Sequence, residues 1–116
     1  MTVLLVDDNA RVVRLLRHAV RDIASAIWEC SDGADALAAY AQHRPDVVLM
    51  DIRMPCMDGL TATRQITQFD PSARVVIITD YEDEELRMAA SEAGACGYAL
   101  KENLPDLAKI IGSLPS

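Results

Sequence analysis

Pro45-Asp46-Val47-Val48-Leu49-Met50-Asp51 decides the fold of this chain. A short, wholly apolar run with no polar alternation reads as a strand buried on both faces. It opens behind a proline and ends on a carboxylate. Val3-Leu4-Leu5-Val6 repeats the pattern near the start and ends on Asp7-Asp8. Two buried strands therefore deliver three carboxylates to their carboxyl ends. In an open parallel sheet, ligands bind in the crevice outside those ends.

Along the whole chain, strand and helix signals alternate five times. Asn9 is a cap for a first helix, with Val12, Val13, Leu16, Ala19, Val20 and Ile23 at helical spacing. Ala26-Ile27-Trp28 with Cys30 reads as the second strand. Ser31 or Asp32 caps a second helix, expected to turn Ala34, Leu37, Ala38 and Ala41 inward. After the strand Val47 to Met50 comes the loop Arg53-Met54-Pro55-Cys56-Met57. Asp58-Gly59 opens a third helix with Leu60, Thr63 and Ile66 inward, and Asp70-Pro71-Ser72 is a turn. Val75 to Ile78 is the fourth strand. Glu82 to Ala93 is the fourth helix, with acids in its first turn and Gly94 at its end. Cys96 to Leu100 is the fifth strand. Pro105 starts a last helix striped by Leu107, Ile110, Ile111 and Leu114, and Gly112 to Ser116 forms a short tail. Apolar strands alternating with amphipathic helices predict an α/β fold, a parallel sheet covered on both faces.

The 116 residues suit one domain with no internal repeat, and about half of them are hydrophobic. A net charge of −7 argues against direct nucleic-acid or membrane-surface binding. It suits a module that binds cations or a partner with a basic face. Cys30, Cys56 and Cys96 have neither disulfide nor zinc spacing, so reduced thiols and a cytoplasmic setting are expected. No apolar run is long enough to span a membrane.

Three crowded acids repel and call for a proton or a hard cation such as Mg²⁺, which takes oxygen ligands. An Asp carboxylate can also act as a nucleophile toward phosphorus. Thr79 and Lys101 follow two later apolar runs and bring a hydroxyl and a compact positive charge to the same sheet end. Taken singly, each residue has a plainer role. Asp7 and Asp8 read equally as helix caps, Thr79 as a cap, Lys101 as a surface lysine and Tyr98 as strand packing. The combination favours a phosphate-accepting, Mg²⁺-dependent site.

The chain resembles the receiver domain of two-component response regulators over essentially its whole length, residues 1–116. The matching stretches are Leu4 to Asn9, Pro45 to Pro55 running into Met57-Asp58-Gly59, Val76 to Thr79, and Gly97-Tyr98-Ala99-Leu100-Lys101. The resemblance implies a flavodoxin-like, CheY-like doubly wound sheet of strand order 2-1-3-4-5 with five helices. It implies that Asp51 accepts phosphate from a histidine kinase or phosphotransfer protein. Asp8, Asp51 and the Arg53 main-chain carbonyl would hold Mg²⁺, and Asp7 would orient one of its waters. Thr79 and Lys101 would bind the phosphoryl group, and Tyr98 would be the switch aromatic. The responsive surface would be the fourth helix, fifth strand and last helix, open to an output domain, a partner protein or a second copy. No output domain is expected within these residues, and no enzyme activity beyond self-catalysed phosphoryl transfer to Asp51 and its hydrolysis.

Two positions depart from the family pattern. Asp80 stands where a small residue is usual, and Glu102 where proline is usual. They bear on kinetics rather than identity, although Asp80 keeps alive a phosphate-independent pseudo-receiver acting as an interaction module. An aspartyl-phosphate phosphatase is disfavoured because Arg53 occupies the position of its general acid. A flavin carrier is disfavoured because Asp7-Asp8-Asn9 would repel the flavin phosphate.

Overall fold

A computed structural model describes residues 1–114. Five parallel strands, β1 (Thr2–Val6), β2 (Ala26–Cys30), β3 (Val47–Asp51), β4 (Val75–Thr79) and β5 (Gly97–Leu100), form one sheet in the order β2-β1-β3-β4-β5. The helices are α1 (Ala10–Val20), α2 (Ala36–His43), α3 (Gly59–Phe69), α4 (Glu84–Glu92) and α5 (Leu107–Gly112). Short 3-10 turns, Gly33–Asp35 and Lys101–Asp106, lead into α2 and α5. The doubly wound sheet and its strand order are those expected.

Alternation along the strands divides the core in two. Val3, Leu5, Val47, Leu49, Val76 and Ile78 face Leu16 and Val20 of α1 and Leu107 and Ile111 of α5. Leu4, Val6, Val48, Met50, Val75 and Ile77 face Ala36 and Tyr40 of α2, Ala62 and Ile66 of α3, and Ala90 of α4. Every residue of β3 and β4 is buried, as continuous apolar runs require in a sheet covered twice.

The structure corrects several local expectations. Ala34 falls in the 3-10 turn before α2 and is exposed, as are Ala38 and Ala41 within α2; Ala36 and Tyr40 are the buried residues of the helix and Leu37 is half-buried. Alanine tolerates either environment, so the bulky anchor sets the face, and Tyr40 also donates its hydroxyl to Asp70 at 2.7 Å. The first helix stops at Val20, leaving Ile23 in the following turn, where it still packs against the core. The fourth helix starts at Glu84 because the Asp83 carboxylate accepts from Glu85 N and caps it there. Gly94 ends it at φ +100°, a conformation that disfavours side chains. Of the short tail, Pro115 and Ser116 lie outside the described residues. Among the described residues, no helix is long and apolar enough to cross a membrane.

Candidate functional site

The carboxyl ends of β1, β3 and β4, with the residue after β5, enclose a cavity of about 150 Å³. Asp7, Asp8, Asp51, Arg53, Thr79 and Lys101 all line it, joined by Asn9, Ile52, Asp80 and Tyr81. Asp7, Asp8 and Asp51 each offer a carboxylate oxygen within 4.8 Å of the others. Tyr98 does not line the cavity. It stands on β5, donates its hydroxyl to the Tyr81 carbonyl at 2.6 Å, and carries the Arg87 guanidinium 4.5 Å above its ring.

Each side chain is placed by its backbone. Asp7 continues β1, and its N–H donates to Cys30 O on the neighbouring strand at 3.1 Å. The chain then turns into α1, whose first amides are taken by the Asn9 side chain. Asn9 N donates to Asp7 Oδ1 at 2.8 Å, which aims the other carboxylate oxygen into the cavity. Asp51 is the last residue of β3, and α3 starts close behind it. A Cβ on Gly59 would lie 1.9 Å from the Asp51 carbonyl oxygen, so only glycine permits this approach. Thr79 ends β4, and its Oγ1 accepts from Tyr81 N at 3.3 Å.

Electrostatics bind these groups into one unit. Lys101 Nζ lies 3.2 Å from Asp51 Oδ1 and 3.9 Å from both Asp7 Oδ2 and Asp80 Oδ2. Burial pulls the lysine pKa down, but the Asp51 and Asp7 charges outweigh it, and the net shift is upward. Burial also raises Asp51, with Lys101 opposing. Asp7 is pushed up to about 6 by burial, against the Asn9 amide bond and with help from the Asp51 charge. Its Oδ2 is buried without a hydrogen-bond partner. Among the described residues Arg53 forms no ion pair with these acids, and its guanidinium lies 4.9 Å over the ring of Tyr81 at the rim. One lysine thus faces four carboxylates, and a buried carboxylate oxygen lacks a partner. An all-oxygen donor set with excess negative charge fits a hard divalent cation such as Mg²⁺.

Sequence reasoning took Asn9 only as a cap and overlooked Tyr81 as part of the rim. The signal for Tyr81 is its place two residues beyond Thr79, in the same loop. Asp80 reaches Lys101 only at the edge of salt-bridge range and is well exposed. Glu102 sits in the 3-10 turn, and no peptide bond there is cis.

A family model described as the response regulator receiver domain matches residues 3–112. Over 99 residues the chain is 39% identical to the chemotaxis protein CheY of Halobacterium salinarum, covering 85% of this chain and 82% of that protein. It is 35% identical over 108 residues to the uncharacterized transcriptional regulatory protein YhcZ of Bacillus subtilis, covering 91% of this chain. There it spans only 50% of the relative's length. The backbone superposes with a TM-score of 0.87, at 29% identity, on a chain of the CheX-CheY-BeF3-Mg+2 complex from Borrelia burgdorferi. That match covers 97% of this chain and 87% of the other. With the fold, the acidic cavity and the family match in agreement, the chain belongs to the response regulator receiver domains.

Proposed function

We propose that residues 1–116 form one receiver unit acting as a phosphorylation-controlled switch. Asp51 accepts a phosphoryl group from a phosphohistidine of a sensor kinase or phosphotransfer protein. The observation that carries this reading is a buried Asp51 held 3.2 Å from Lys101 Nζ, at the open end of the sheet, beside two further carboxylates. An Asp51 carboxylate oxygen attacks phosphorus, the bond to the donor nitrogen breaks, and its electron pair returns to the imidazole. Lys101 pairs with a phosphoryl oxygen as that charge arrives. Bound Mg²⁺ supplies charge neutralisation to the transferring group. Asp8, Asp51 and the Arg53 carbonyl would hold it, with Asp7 ordering its water.

The switch starts at Thr79. Its hydroxyl oxygen accepts from Tyr81 N, and the Tyr81 carbonyl accepts from the Tyr98 hydroxyl. A Thr79 hydroxyl that turns to donate to a phosphoryl oxygen loosens Tyr81 and with it the Tyr98 bond. The change is then read on α4, β5 and α5 by an output domain, a partner protein or a second copy. The added charge biases an existing equilibrium rather than creating a new state. Relatives named as a chemotaxis protein and as a transcriptional regulatory protein support both kinds of output. The unit is a signalling module whose only chemistry is phosphoryl transfer to Asp51 and its hydrolysis. We assign it to the cytoplasm, in keeping with three free thiols.

One observation favours a second reading, a phosphate-independent interaction module. The Asp80 carboxylate stands 3.9 Å from Lys101 Nζ and competes for it. Incubation with acetyl phosphate, with and without Mg²⁺, followed by intact mass measurement separates the two. The switch reading expects a Mg²⁺-dependent gain of one phosphoryl group that Asp51→Asn abolishes. Absence of the gain in both the native chain and Asp80→Ala favours the interaction module. Its appearance only in Asp80→Ala identifies the fourth carboxylate as the brake.

A further inference from the structure

We propose that Asp32, which lies outside the carboxylate cavity, is the positioning residue for its metal: it fixes the loop that carries the Arg53 carbonyl. The proposal rests on the Mg²⁺ reading given above.

The loop from Ile52 to Asp58 leaves the phosphoacceptor and must return to α3. Its closing bond runs from Gly59 N to Ile52 O at 2.8 Å, and the Asp58 carboxylate caps α3 through Thr61 N at 2.9 Å. Among the described residues, no hydrogen bond holds the backbone of Arg53, Met54 or Pro55. The Arg53 carbonyl is therefore placed from two sides, by the Ile52 carbonyl anchored to Gly59 N before it and by whatever fixes the residues that follow it. Those are Cys56 and Met57, whose N–H groups donate to Asp32 Oδ2 at 2.9 Å and Oδ1 at 3.1 Å.

The same carboxylate accepts from Ala34 N at 2.9 Å, so it also caps the turn before α2. One acid thus ties two segments that are distant in sequence. Backbone bonds from Ala34 and then Cys56 hold its pKa below the usual carboxylate range, so it is charged throughout the neutral region. Contact beside it is tight. A Cβ on Gly33 would come within 2.5 Å of the Met57 carbonyl oxygen, so the turn and the loop meet backbone to backbone. Residues that orient metal ligands from behind change affinity by about 10- to 100-fold when removed.

The test measures the initial rate of Asp51 labelling by acetyl phosphate against Mg²⁺ concentration, with calorimetric Mg²⁺ titrations alongside. The proteins are the native chain, Asp32→Ala, Asp32→Asn and Asp8→Asn. Asp32→Ala is expected to raise the half-saturating Mg²⁺ concentration about tenfold and to leave the plateau rate within roughly a factor of two. Asp32→Asn keeps one acceptor oxygen for Ala34 but turns an amide N–H toward Cys56. It is expected to fall between the native chain and Asp32→Ala, and it decides the matter if Asp32→Ala does not fold. An unchanged Mg²⁺ midpoint with a lowered plateau, or with only a lowered melting temperature, overturns the positioning role. A native chain that binds no Mg²⁺, or an Asp8→Asn chain that binds it equally well, overturns the metal reading and this proposal with it. Those two failures are distinct because Asp8 and Asp32 lie on different elements.

Discussion

Asp7 shows what the site costs its own fold. Its carboxyl has a pKa of about 6 in the folded chain, against an ordinary value of 3.8. Below the ordinary value the group is protonated in both states and adds nothing. Between the two values the folded chain holds a proton that the unfolded chain has lost, so stability falls as pH rises through that window. Above about pH 6 the full penalty remains. Replacing Asp7 by Asn keeps an acceptor for Asn9 N and removes the charge. At pH 7.5 without Mg²⁺, Asp7→Asn is expected to be more stable than the native chain by ~1–3 kcal/mol. Near pH 4 the advantage disappears, and thermal melts at the two pH values check this. On the proposed Mg²⁺ reading the ion competes with the Asp7 proton, so its apparent affinity is expected to weaken between pH 7 and 5 in calorimetric titrations.

At the scale of elements, the closest fit is between the end of β3 and the start of α3. Gly59→Ala drives a methyl group into the Asp51 carbonyl, which cannot yield as a flexible side chain would. A cost of at least ~2 kcal/mol is expected in denaturant melts, with labelling of Asp51 falling further than stability explains. The elements themselves were well marked in the sequence wherever the signal was strong. Val47 to Met50 and Val75 to Ile78 read as buried strands by their shortness, β-branched content and flanking turn residues, and Asn9, Asp58 and Gly94 mark helix ends. The alanines of α2 gave no such contrast, and the inward face was misassigned for that reason. Asp32 is the deeper lesson. As a cap it was readable from its neighbours, but its bonds to Cys56 and Met57 depend on where a later segment comes to rest. No local pattern encodes that.

For the molecule as a whole, the apolar strands and alternating helices imply a covered parallel sheet but not its strand order. The order 2-1-3-4-5 followed from resemblance to a family rather than from periodicity. The same holds for the assignment of roles within the carboxylate cluster, which residue chemistry alone left open between capping and catalysis. The carboxylates proposed to hold the ion come from the ends of β1 and β3, so a bound ion ties two neighbouring central strands together. Mg²⁺ at 100 times its dissociation constant is expected to stabilise the native chain by ~2.7 kcal/mol. Asp8→Asn should lose most of that gain, as differential scanning calorimetry with and without the ion can show.

All four strand pairings are parallel, and Val3 of β1 meets Val47 of β3. None can form as a hairpin; each waits for a crossover helix to be made. A chain leaving the ribosome therefore presents Asp7 and Asp51 well before Lys101 exists to offset them. The acids are the early part of the machinery and their counter-charge is the late part. A partly synthesised copy is electrostatically incomplete and has no lysine to receive a phosphoryl oxygen. Competence to receive a signal therefore requires synthesis through Lys101, about fifty residues after Asp51.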